Sequence, residues 1–197
     1  MLKFYRKQKN TYKIKGVEYP LDLSFATVIK MLKLINNKDL SIVERLDGAL
    51  FYLFGEDCQR MILELPYDDK LEIYHTIYNE SIGMPARPDN DVERDRNGDP
   101  LYPDEIGINK YSLDYDSDAI YSSFMQAYGI DLVDEQSRMS WQKFNALLAG
   151  LPENVKFSQI MSIRDKDLGD IKDPLEKGHW ERLKARYRLP EEYRKGI

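Results

Sequence analysis

The chain is poor in the residues that usually build reactive centres. It has one cysteine, Cys58, and two histidines, His75 and His179, among 197 residues. A single cysteine excludes an internal disulfide and a cysteine-based zinc site within one chain. Two histidines leave little material for a His-rich metal centre or a histidine-driven hydrolase. The 11 glycines are scattered, mostly at the ends of helical patterns, so no glycine-rich loop is present to cradle a phosphate. No Gly-x-Ser-x-Gly elbow occurs. No apolar run approaches the roughly 18–20 residues needed to cross a bilayer. The first ten residues carry charge, with no apolar core of signal-peptide length behind them. These absences predict a protein that stays in a reducing cytoplasm, away from membranes, with no cofactor and no metal. An enzymatic role has no positive support.

What is present is a soluble globular composition: 42% hydrophobic and 32% charged residues, with 14 tyrosines. The length suits one large domain or two small ones. The net charge of −5 conceals a polarity. Residues 1–15 carry six basic and no acidic side chains, and residues 177–195 carry seven basic and three acidic ones, so the middle is strongly acidic. A duplex-binding protein needs several phosphate-neutralising cations on one surface. Only the two ends can supply them, and the acidic middle opposes approach, which argues against nucleic acid as a partner.

Hydrophobic spacing predicts mainly α structure in two small helical modules. Short alternating runs over Thr11 to Leu23, with a Lys15-Gly16 turn signal, read as an N-terminal β-hairpin that Pro20 stops. Phe25, Val28, Ile29 and Leu32 give a helical face over Ser24 to Asn37. Ser41 and Glu44 form a capping box ahead of a stripe of Ile42, Leu46, Ala49, Leu50 and Leu53, closed by Gly55. A third helix is expected over Asp68 to Ile82, with Leu71, Tyr74 and Tyr78 on one side, Ile73 and Ile77 close by, and Gly83 to end it. Residues 1–84 therefore form a hairpin plus three-helix module. Residues 85–110, full of turn formers and acids, read as an acidic linker or long loop.

The remaining residues, 111–197, read as a C-terminal helical module with a basic tail. Asp114, Asp116 and Ser117 offer N-caps for a helix with Ile120, Phe124, Ala127 and Tyr128 inward, closed by Gly129. Trp141, Phe144, Leu148 and Leu151 form a narrow seam ended by Gly150 and Pro152. A further helix over Glu153 to Arg164 carries Val155, Phe157, Ile160 and Ile163. The last runs over Pro174 to Tyr187, with Trp180, Leu183 and Tyr187 on one stripe. Two acidic stretches invite a calcium-loop reading and fail it. From Asp95, the loop positions that need Gly and Glu hold Pro100 and Ile106; from Asp114 they hold Ala119 and Met125. His75 and His179 read as helical surface residues, and Cys58 as an inert thiol.

Several segments resemble a known family. They are Tyr19 to Leu34 (YPLDLSFATVIKMLKL), the helix end Phe51 to Gly55 (FYLFG), Asp116 to Leu132 (DSDAIYSSFMQAYGIDL), Trp141 to Leu151 (WQKFNALLAGL) and Phe157 to Arg164 (FSQIMSIR). Together they are similar to the bacteriophage protein-fifteen family of siphophages and prophages, over roughly residues 17–58 and 111–168. Genes of that family usually lie between the major tail protein and the tape measure. The resemblance implies a tail-assembly chaperone that binds the tape measure protein and keeps it soluble. It would act in the bacterial host cytoplasm and be absent from the mature virion. The major tail protein and a second tail-assembly chaperone are further implied partners, and self-association into a homo-oligomer is expected. The competing readings are a structural tail-completion or connector protein and a nucleic-acid-binding phage regulator. Client or self contacts are assigned to Trp141, Phe144, Leu148, Ile160 and Ile163, which serve equally well as core. Arg164, at the end of an apolar helix face, either joins them or pairs with an acid of its own domain.

Overall fold

A computed structural model of the chain describes residues 10–82 and 110–194. In chain order the elements are β1 (Thr11–Ile14), β2 (Val17–Pro20), α1 (Phe25–Ile35), α2 (Ile42–Phe54), a 3-10 turn (Glu56–Cys58), α3 (Gln59–Glu64), α4 (Tyr67–Ile77), a π turn (Tyr78–Ile82), α5 (Ser117–Tyr128), α6 (Trp141–Ala149), α7 (Lys156–Asp165), α8 (Pro174–Tyr187) and α9 (Glu191–Arg194). The protein is mainly helical with a short N-terminal antiparallel hairpin, as the spacing predicts. All but one residue of the expected linker, 85–110, lies outside the described residues, as does Gly83.

The chain divides into two compact units that are not contiguous in sequence. One lies within Met1–Val92 and Val133–Ala146, the other within Glu93–Leu132 and Leu147–Ile197. Sequence order alone would leave 133–146 with the C-terminal module. Its packing instead puts it with the N-terminal elements.

In the first unit, β1 and β2 pair with Tyr12 opposite Tyr19 and Ile14 opposite Val17. The two-residue turn between them has positive φ at both Lys15 (47°) and Gly16 (89°), the twist that suits a tight hairpin. Both hairpin tyrosines meet the ring of Phe54 edge-on. The capping box of α2 forms in full: the Ser41 hydroxyl accepts from the Glu44 amide, and the Glu44 carboxylate accepts from the Ser41 amide. The inward stripe of α2 is Leu46, Ala49, Leu50, Leu53 and Phe54, and Val28 and Met31 of α1 are fully buried. Each such Leu or Met side chain contributes about 1.5–3 kcal/mol of burial free energy.

Two faces differ from the periodicity reading. On α1 the buried set is Phe25, Val28 and Met31, with Ile29 and Leu32 half-buried. On α4 the buried set is Lys70, Ile73 and Ile77, while Leu71 and Tyr74 are half-buried and Tyr78 is exposed. Tyrosine carries an apolar ring and a polar tip, so it sits at the margin of a helix face and draws a periodicity count away from the true centre. Lys70 is held inside by Asp47 of α2, Nζ to carboxylate at 2.7 Å.

The starts of α1 and α6 cap each other. Phe25, first in α1, donates its amide to the Met139 carbonyl at 3.0 Å. Trp141, first in α6, donates its amide to the Leu23 carbonyl at 2.9 Å. Two orphan helix amides are thereby satisfied reciprocally. The Ser24 hydroxyl makes no capping bond and is engaged with the Asp22 carboxylate instead. Phe144 then stacks on Phe25 with centroids 4.9 Å apart, and Trp141 stacks on Phe144.

In the second unit, α5 ends at Gly129 with φ 63°, a left-handed stop. The N-terminus of α7 begins after Val155, which has no capping group. Ser123 of α5 supplies one: its buried hydroxyl accepts from the Phe157 amide at 2.9 Å. Phe124, Leu132, Leu148, Val155, Phe157 and Ile160 are buried here. Helix α8 buries none of its residues.

Candidate interaction surfaces

The residues assigned to contacts from sequence are mostly inside. Trp141 and Phe144 are buried in the first unit, where the Trp141 indole donates to the Ile82 carbonyl at 2.7 Å. Leu148 and Ile160 are buried in the second unit, and Ile163 is half-buried. An interface is made of exposed atoms, and these side chains are spent on packing. Of the six, two lie in one unit and four in the other.

Arg164 takes the second of its two expected roles. Its guanidinium holds Asp116 through two parallel bonds, Nη1 to Oδ2 and Nη2 to Oδ1, both 2.8 Å. Its Nε donates to the Tyr187 carbonyl at 2.7 Å. The Ser112 amide adds a further bond to Asp116 Oδ2. Both carboxylate oxygens are engaged, so Asp116 is committed to holding α5 against α7. A cleft of about 330 Å³ opens above this pair, walled by Tyr115, Ser122, Lys156 and Tyr187. The Lys156 ammonium donates to the Tyr187 phenol oxygen at 2.9 Å, and this bond draws the exposed phenol below its ordinary pKa. Lys156 also lies over the Tyr187 ring. Arg186, also in the cleft wall, lies over the same ring, so Tyr187 gathers two cations.

Exposed apolar surface lies elsewhere, along α2. Ile42 is 61% exposed and Val43 50% exposed, although both open a helix whose next turns are core. Ile42 keeps the helical spacing to Leu46, while Val43 lies about 100° round the helix from it, so the two exposed residues open different sides of α2. Each side leads to a depression. On one flank, α2 and α3 enclose a trough of about 160 Å³ lined by Gly48, Phe51, Ile62 and Leu63, with Asp47 and Gln59 at its rim. Leu63 on its edge is 59% exposed, and Val43 precedes Asp47 by one helical turn.

On the other flank, the end of α1, the start of α2 and α4 enclose a groove of about 280 Å³. Its walls are Ile35, Ile42, Leu46, Leu71 and Tyr74, with Arg45 and His75 beside them. Burial, and the neighbouring Tyr78, push the Tyr74 phenol up to about 12. Arg45 donates from Nη1 to the Ile35 carbonyl at 3.2 Å, while its Nε is buried without an acceptor among the described residues. Buried donors are rarely left so, because each costs about 1–3 kcal/mol.

Cys58 is buried, and burial together with the Asp57 charge raises its thiol pKa. Among the described residues, no three His, Cys, Asp or Glu side chains gather closely enough to hold a metal ion. No described helix is long and apolar enough to cross a membrane.

These observations define a mainly helical protein whose buried ion pair serves the fold and whose open apolar surface runs along the flanks of one helix. A family model described as Bacteriophage Gp15 protein matches residues 7–189, and the chain belongs to that family. It is a phage protein. No curated protein and no solved structure matches it.

Proposed function

We propose that this protein is a non-enzymatic tail-assembly chaperone that binds the tape measure protein and keeps it soluble until the tail tube encloses it. Membership of the phage family and the family's usual gene position support this reading. The observation that carries it is the apolar trough between α2 and α3, where Phe51 and Ile62 floor a channel edged by the exposed Leu63. A groove of this kind receives the apolar face of an amphipathic helix. A tape measure is long, helical and apolar before enclosure, and such a surface aggregates unless covered. The excess of acid in the chain, net −5, would keep the coated complex in solution. The place of action is the host cytoplasm, with the major tail protein and a second chaperone as further partners.

Co-expression tests the reading. The tape measure protein of the same phage should move from the pellet to the supernatant and co-purify with this chain. If the same fraction stays insoluble with and without it, the reading fails. Mass spectrometry of purified virions should find no copy of the chain; stoichiometric copies would favour a connector or completion protein.

A further inference from the structure

The groove on the other flank of α2 has a complement on the same polypeptide. Leu175 is 83% exposed, the most exposed large apolar side chain among the described residues. It is nonetheless held firmly. The Asp173 carboxylate accepts from the Leu175 amide at 3.0 Å, and Pro174 occupies the first helical position of α8 with its φ already set. An exposed leucine on an unconstrained chain end needs no explanation, whereas one fixed in a capped first turn is a presented knob. Glu176 follows it with an exposed carboxylate, within a balanced run of Lys172, Asp173, Glu176 and Lys177.

The groove formed by α1, α2 and α4 is the opposite in shape. Its walls are apolar, its mouth carries the exposed Ile42, and its one formally charged lining residue is Arg45, whose Nε is buried without an acceptor among the described residues. We propose that Leu175 of one copy seats in this groove of a second copy, with Glu176 reaching the Arg45 guanidinium. The knob and the hole are different surfaces of one chain, so the contact is heterologous. The pair keeps one free knob on one copy and one free hole on the other, so association through this surface is not limited to two copies. The proposal gives the chaperone reading a route to self-association along an extended client. It uses the flank of α2 away from the proposed client trough and is tested without any client, so either idea can fail alone.

The test is sedimentation velocity of the full chain across a wide concentration range, at low salt. Wild type should rise above its 23.2 kDa monomer mass as concentration increases. Leu175→Glu, which spoils only the knob, and Ile42→Glu, which spoils only the hole, should each remain monomeric. Both sites are exposed, so melting curves should match wild type. An equimolar mixture of the two variants should form a heterodimer and nothing larger, because one intact knob meets one intact hole. Arg45→Met should weaken the wild-type association at least tenfold and remove its salt dependence. A wild type monomeric throughout, a Leu175→Glu variant that assembles normally, or a mixture that stays monomeric would each overturn the proposal.

Discussion

Arg164 and Asp116 face each other through two 2.8 Å bonds with side chains only 9% and 3% exposed. Such a pair is a fixed joint between the start of α5 and the end of α7. Removing one partner leaves a buried charge uncompensated, which costs about 3–5 kcal/mol. Asp116→Asn keeps the shape and loses the charge. Arg164→Lys keeps the charge and loses the planar fork, the Tyr187 bond included. Urea titration should show a loss of unfolding free energy in that range for Asp116→Asn and a smaller loss for Arg164→Lys. Asp116→Asn combined with Arg164→Met should lose much less than the sum of the single changes, and a double-mutant cycle reads the coupling. Single variants within about 0.5 kcal/mol of wild type would show that the joint contributes nothing.

Trp141 carries a second such dependence. Its indole donates to the Ile82 carbonyl at 2.7 Å in a buried setting, and its ring stacks on Phe144. Trp141→Phe retains the stack but strands the carbonyl, at about 1–3 kcal/mol. Trp141→Ala loses both and should cost about 3–5 kcal/mol. Chemical denaturation measures each. Trp180, the other tryptophan, is half-exposed, so the blue-shifted part of the fluorescence should vanish in either variant.

Why some of this was legible and some not is a question of range. The Ser41–Glu44 capping box, the α2 stripe, the Gly129 stop and the bounds of α8 depend on residues within a turn or two of one another, and periodicity finds them. Helix α3 has six residues, too few to show a period, and went unread with its 3-10 turn. The role of 133–146 was invisible because it rests on Phe144 stacking on Phe25, far apart in the chain. The same limit hid the Ser123 cap on α7 and the Arg164 partner, although a pairing acid was among the expectations. The contact residues were misplaced for a physical reason: the strongest apolar spacing marks the core. Ile42 shows the limit of that signal: it keeps the i, i+4 spacing to Leu46 and was expected in the α2 stripe, yet it is 61% exposed.

Two groups set opposite pH limits. The Tyr74 phenol is held neutral by burial and by Tyr78, with its pKa pushed up to about 12. Its contribution to stability is complete below the unfolded tyrosine value near 10 and is lost between about pH 10 and 12. After allowance for its half-exposure, the loss is of order 1 kcal/mol. Tyr74→Phe should flatten that alkaline decline. Burial pushes the Asp22 carboxyl upward, but bonds from the Thr27 hydroxyl and the Ser24 amide outweigh it and leave the pKa lowered. That contribution is present above the unfolded aspartate value near 4 and disappears as pH falls through the lower folded value. Asp22→Asn should therefore flatten the acid limb. Thermal melts from pH 2 to 11 read both; a variant whose profile parallels wild type removes the assigned group.

Variants on the α2–α3 trough separate client binding from stability. Leu63 is exposed, so Leu63→Glu removes apolar surface without opening the core, and its unfolding free energy should lie within about 0.5 kcal/mol of wild type. Val43→Glu places a charge on exposed surface one helical turn before Asp47 at the trough's rim. A charge in an apolar channel must be desolvated when a client helix docks, so each variant should reduce the soluble tape measure at least tenfold on co-expression. Leu175→Glu, in the other unit, serves as the control for the trough itself: a client bound there should still be captured by single copies, with only the copy number per client reduced. If Leu63→Glu and Val43→Glu solubilise the tape measure as well as wild type does, the client lies on another surface. The trough would then have no part in binding it.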